Sequence, residues 1–142
     1  MISNNIQLLP IRLNPGDDLK IKLFQACQLH QIEAGFIISG IGSLKTLQLR
    51  LANSNDVLIK NECFEILSLQ GSISVDGLHI HLSVSDAKGQ VVGGHLMEGC
   101  LIFTTAEILV VGCPDYNFTR PLDTLTKFKE LKIQKKIRDQ KL

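Results

Sequence analysis

The stretch LHIHLSVSDAKGQVVGGH, residues 78–95, constrains the fold more than any other part of the chain. Side chains in a strand alternate between its two faces. Leu78, Ile80, Leu82 and Val84 therefore fall on one side, and His79, His81, Ser83 and Ser85 on the other. One dry face and one polar face describe a half-buried strand. Asp76-Gly77 before it is a two-residue hairpin signal, and Asp86-Ala87-Lys88-Gly89 after it is a second turn signal. A short apolar run, Val91-Val92, then leads to Gly93-Gly94 and His95. The chain can thus fold back and carry a third imidazole toward the i, i+2 pair. Glycine tolerates positive φ and close backbone approach, so a bulge or tight turn is expected at Gly93-Gly94.

The rest of the chain is read by the same rules. Residues 6–13 form an expected strand that Pro10 confines to a sheet edge or an irregularity. Asn14-Pro15-Gly16-Asp17-Asp18 supplies a turn and acidic caps for a helix over 19–29, with His30 near its end. Residues 35–39 and 44–51 read as strands joined by a turn at Gly40-Ile41-Gly42, and 53–56 as the next turn. Further strands are expected at 57–60, 63–69, 73–75 and 101–111. Strand and helix never alternate long enough for a doubly wound fold. The expected class is α+β, an antiparallel-rich sheet with a helix packed on it. Residues 123–142 are expected to form a second helix, with Leu125, Phe128, Leu131 and Ile133 as its apolar stripe. The division is a domain over 1–126 and a basic C-terminal helix or tail over 127–142.

At 142 residues one domain is expected. No apolar run approaches a membrane span, and the segment opening Met1-Ile2-Ser3-Asn4-Asn5 lacks the basic and apolar regions of a signal peptide. A cytoplasmic location with no membrane association follows. Cys27, Cys63, Cys100 and Cys113 form no C-x-x-C pair, against a zinc ribbon or a redox motif. They read as buried free thiols, with Cys100 or Cys113 as a fourth metal ligand the sharper alternative. Residues 127–142 carry seven Lys or Arg against two acids, and residues 1–126 eight against twelve. The basic end therefore holds +5 and the body −4, which disfavours a broad nucleic-acid surface on the body.

His79 and His81 have two readings, polar-face imidazoles bonded to Ser83 or backbone, and metal ligands. Glu107 lies in an apolar run where an acid needs a partner. It is the candidate catalytic residue, as an acid or base or as a support for a ligand imidazole. The competing reading is an ion pair with an arginine such as Arg120 at a subunit boundary. Glu65 invites the same pair of readings, with structural pairing favoured.

Over most of its length the chain resembles the PPC (plants and prokaryotes conserved) domain in its single-domain bacterial form. The matching pieces are RLNPGDDL at 12–19, GIGSL at 40–44, FEILSLQG at 64–71, HIHLS at 79–83, GGHL at 93–96, TTAEI at 104–108 and FTR at 118–120. In this order they are specific. The resemblance implies an α+β homotrimer, and bacterial members often carry a DNA-binding label, so a DNA-associated or regulatory role is implied. The plant relatives contact DNA through an AT-hook. This chain has none, which makes direct DNA binding doubtful. The plant Gly-Arg-Phe-Glu-Ile-Leu segment linked to partner binding is here Glu62-Cys63-Phe64-Glu65-Ile66-Leu67, without its Gly-Arg pair. The H-x-H and G-G-H trio also looks like the zinc site of acetolactate decarboxylase. That likeness implies a divalent metal, zinc foremost, on His79, His81 and His95, with water or a small anion in the open position. The alternative it carries is a metal-dependent enzyme acting on a small oxo-acid.

Overall fold

The computed structural model describes residues 5–137. An eight-stranded sheet runs in the order β1-β8-β2-β5-β6-β7-β3-β4, built from β1 (Gln7–Leu13), β2 (Ala34–Leu44), β3 (Leu47–Arg50), β4 (Val57–Lys60), β5 (Phe64–Ser74), β6 (Gly77–Ser85), β7 (Val91–Leu96) and β8 (Ile102–Gly112). Every neighbouring pair in it is antiparallel. One helix, α1 (Leu19–Leu29), packs on one face, so the architecture is the expected α+β one. Pro10 lies in β1, at the sheet edge.

The helix starts where the Asp18 carboxylate accepts the N–H groups of Lys20 and Ile21, each at 3.0 Å. These would otherwise be orphan donors of the first turn. The same carboxylate accepts the N–H of Gly99, tying the helix start to the segment before β8. Leu19, Leu23 and Cys27, spaced four residues apart, form the buried stripe of α1. They meet Ile73, Ile80, Leu82, Val84 and Leu96 in one core, each such aliphatic side chain contributing about 2 kcal/mol of burial. Ile80, Leu82 and Val84 are buried, so the dry face of β6 is the one expected from the alternation.

Several expected turns are strand interior. Gly40-Ile41-Gly42 does not turn: β2 runs unbroken from Ala34 to Leu44, with register shifts against β8 between Ile37/Ser39 and Gly42/Leu44. A Cβ at Gly42 would sit 2.1 Å from the Thr105 carbonyl oxygen, and its φ of 146° suits glycine. Close strand approach, not reversal, explains that glycine. Residues 63–69 and 73–75 likewise merge into one strand, β5. The β5–β6 hairpin closes on the pair Ser74↔Gly77, so its two loop residues are Val75-Asp76, one position earlier than expected.

Over its described part, residues 123–137, the expected helix is replaced by a turn region and a short strand. β9 (Tyr116–Thr119) pairs antiparallel with β10 (Lys132–Lys135) as a separate two-stranded ribbon. Asp123 closes the intervening turn by accepting the N–H groups of Leu125 and Thr126, and Lys127 takes a φ of 64°, off the helical path. The i+3 spacing of Leu125, Phe128 and Leu131 imitates a helical stripe, but the free edge of β9 takes Ile133 opposite Phe118. Residues 138–142 of the expected helix or tail lie outside the described residues. Among the described residues no helix is long and apolar enough to cross a membrane.

Candidate metal centre

β6 places His79 and His81 on the sheet face opposite α1, and β7 supplies the third ring. The register pairs His81 directly with His95, while His79 stands opposite Ser72 of β5. The turn between the strands is held by the Asp86 carboxylate, which accepts the N–H groups of Lys88 and Gln90. Gly93 and Gly94 are regular strand residues, neither bulge nor turn. A Cβ at Gly94 would lie 2.8 Å from the Arg50 carbonyl oxygen, and one at Gly93 2.9 Å from that of Leu82. Glycine lets β7 fit between β6 and β3 and so sets the depth of His95.

One nitrogen from each of His79, His81 and His95 lies within 4.8 Å of the others. The ring centroids are 5.0 Å apart for His79–His81 and His79–His95, and 6.0 Å for His81–His95. Ligand nitrogens around a tetrahedral zinc are roughly 3.3 Å apart, so a closing movement of about 1 Å would bring three rings onto one ion. Two features suit the trio to a cation. Nδ1 of His95 is buried without a hydrogen-bond partner among the described residues. Burial, reinforced by Arg50 and His79, pulls the His95 imidazole down to about 4, and burial, with Arg120 and His81, also lowers His79. Both rings are therefore neutral at pH 7, with a lone pair to offer.

Other expected site residues lie elsewhere. Glu107 is exposed on β8, opposite Arg12 of β1, and β8 is three strands from β6, roughly 14 Å across the sheet. It does not reach the imidazoles of its own chain. Its apolar neighbours Ala106 and Ile108 face the core, so the strand hides no acid. Glu65 is exposed too. Among the described residues the possible metal group includes neither Cys100 nor Cys113. Cys100 and Cys27 are buried thiols pushed up to about 11 by burial, and the Gln48 N–H donates to Cys100 Sγ at 3.2 Å. Cys63 departs from the expectation by being exposed. His30 caps the end of α1, as expected.

Two cations stand next to the trio, Arg50 and Arg120, a placement the sequence does not indicate. Arg50 is the register partner of His95. Arg120, one residue past β9, donates from Nη2 to Ser72 Oγ, opposite His79, and its own N–H donates to Asp76. No local pattern announces either residue, since one comes from a neighbouring strand and the other from the ribbon.

Residues 3–114 match the model of the Plants and Prokaryotes Conserved (PCC) domain. The bifunctional protein GlmU of Synechococcus sp. (strain JA-2-3B'a(2-13)) is 46% identical over 134 residues, which is 94% of this chain and 21% of the relative. The chain thus spans about a fifth of the length of the curated relatives it matches. A hypothetical protein of Salmonella enterica superposes with a TM-score of 0.91 at 32% identity, over 95% of this chain and 98% of that one. The metal-containing protein AF0104 of Archaeoglobus fulgidus superposes with a TM-score of 0.75 at 27% identity, over 87% and 91%.

Proposed function

The chain belongs to the Plants and Prokaryotes Conserved domain family, and from that premise we propose that it is a homotrimeric module binding a divalent metal, zinc foremost, on His79, His81 and His95. The observation that carries the reading is three imidazole donors within 4.8 Å, one of them on a ring with a buried, unpartnered nitrogen. Three neutral nitrogens leave a tetrahedral ion one position for water or a small ligand oxygen, the pattern of an open site. The structural likeness to the metal-containing protein AF0104 of Archaeoglobus fulgidus supports it. When bound, the metal supplies a Lewis acid at that position. The chain's part is to fix the three rings on two paired strands and to keep those of His79 and His95 neutral.

Trimer formation is supported by the family and by the sheet face away from α1, which leaves Leu8, Phe36, Ile38, Ile41, Leu67 and Phe103 exposed. In the proposal the module works in the cytoplasm, and a DNA-associated role runs through partners or the basic residues 127–142. Direct sequence-specific binding by the body is weak or absent, because the body is net acidic and lacks an AT-hook.

Elemental analysis of protein purified without an affinity tag tests the metal. Stoichiometric zinc is expected in the native chain, and none in the His79→Ala, His81→Ala, His95→Ala triple variant at unchanged fold. Full retention of metal by the triple variant overturns the site. Light scattering at micromolar concentration should give three chains, and a stable monomer would refute the assembly.

A further inference from the structure

Beside the imidazoles lies a cavity of about 500 Å³ whose walls include His79, His95, Arg50, Arg120, Lys129 and Glu130. Three cations and one acid line it, an excess of two positive charges with the imidazoles neutral. A divalent metal on the trio would raise that excess. Arg120 has no carboxylate within ion-pair distance among the described residues, and its Nε is buried without a hydrogen-bond partner. Ser72 Oγ accepts from Nη2 and the Glu130 and Asp76 charges act at longer range, so the burial of this guanidinium is compensated only in part and Nε–H is left without an acceptor. Its geometry also matches a carboxylate, whose two oxygens can accept a pair of parallel N–H groups. Leu78 and Phe128 add apolar wall, so there is room and surface for a carbon body as well as a charge.

We infer that this cavity binds a small organic carboxylate, its charged end held by Arg120 and Arg50 and its carbon body against Leu78 and Phe128. Glu130 works against a second negative charge on the ligand, which favours monoanions over phosphate dianions. The inference goes beyond metal binding and shares its cavity, but the arginine contacts stand without the metal.

The test is calorimetric titration of propanoate, propanamide and inorganic phosphate into metal-free and zinc-loaded protein, with the arginine Nε–H signals followed by NMR. Propanoate should bind both forms and shift the Arg120 and Arg50 signals. Propanamide, of the same shape without charge, should not bind, and phosphate should bind more weakly than propanoate. Arg50→Gln and Arg120→Gln should each weaken propanoate roughly tenfold or more. Because Arg120 also anchors to Ser72, Arg120→Lys serves as a second variant, keeping the charge and losing the planar fork, and it should also bind more weakly. Equal affinity for propanamide, tighter binding of phosphate, or native affinity in the Arg50→Gln and Arg120→Lys proteins would each overturn the inference. If zinc fails to load while propanoate still shifts the arginine signals, the metal reading fails and this one stands.

Discussion

Stripped of metal by a chelator, the protein should lose stability as pH is lowered from 6.5 toward 4, with His95 a main contributor. Burial first, then the Arg50 and His79 charges, pulls this imidazole from its ordinary 6.5 to about 4. The folded state then refuses a proton that the unfolded chain accepts. Stability from this ring is complete above pH 6.5, falls as pH drops through the interval, and stops changing below the folded pKa. A displacement from 6.5 to about 4 corresponds to about 3 kcal/mol. The ring is only partly buried, and solvent screening brings the expected figure to about 1–2 kcal/mol. His79 is shifted in the same direction and adds to the effect. Urea unfolding followed by circular dichroism, at fixed protein concentration between pH 7.5 and 4.5, measures it. Carboxylates titrate in the same range, so the comparison is with His95→Gln, which keeps them and removes the imidazole. The wild type should lose about 1–2 kcal/mol more than the variant across that range. Parallel pH curves for the two proteins would refute the reasoning.

Gly94→Ala should cost about 1–3 kcal/mol, because its Cβ would press on the Arg50 carbonyl oxygen and neither strand can move without the other. It should also weaken zinc binding by displacing His95, and a thermal scan with and without zinc checks both, a neutral result removing close approach as the reason for glycine. Asp18→Ala should cost about 2–3 kcal/mol, since one carboxylate serves the two helix-cap donors and Gly99 N–H. Denaturant midpoints read this directly, and a loss under 0.5 kcal/mol, the level of an ordinary surface substitution, would contradict it. Zinc should raise the unfolding temperature at pH 7.5, and the increment should shrink as acid protonates the ligands, a pH-independent increment pointing to a site without histidine.

Much of the metal trio could be read from local pattern because each step is a short-range rule. Alternation puts His79 and His81 on the polar face of β6. With Ser85 paired to Val91 across the turn, counting back in step brings His81 opposite His95. Glycine marks both chain reversal and close approach, so Gly40-Ile41-Gly42 suggests a turn and Gly93-Gly94 a bulge or tight turn, and only the neighbouring strands decide which. Gly42 and Gly94 face backbone carbonyls from strands distant in sequence, Thr105 and Arg50. The second helix failed for a similar reason. Residues 125–131 carry helical spacing, but pairing with β9 is a long-range choice that spacing does not register. Glu107 looked buried because its neighbours are apolar, whereas period-two alternation in β8 turns it outward.

The two faces of β6 separate folding from binding. Ile80 and Leu82 enter the core on either side of His81, whose ring points away from it, so the apolar packing that holds the sheet together does not pass through the imidazoles. Loss of a ring from the trio should therefore remove the proposed metal binding while leaving the packing of α1 on the sheet in place, unlike small zinc domains whose fold requires the ion. Arg120 is coupled to the same strand by a different route. Its backbone N–H donates to Asp76 and the neighbouring Phe118 carbonyl accepts from Val75, so both loop residues of the β5–β6 hairpin anchor the ribbon. Three residues past Asp76, that hairpin delivers His79. Phe118 buries itself edge-on to Phe36 of β2, with centroids 5.4 Å apart, fixing the ribbon from a second side. A change in the hairpin loop should therefore move the guanidinium and the first imidazole together, and the cavity between them is set by one element instead of two independent ones.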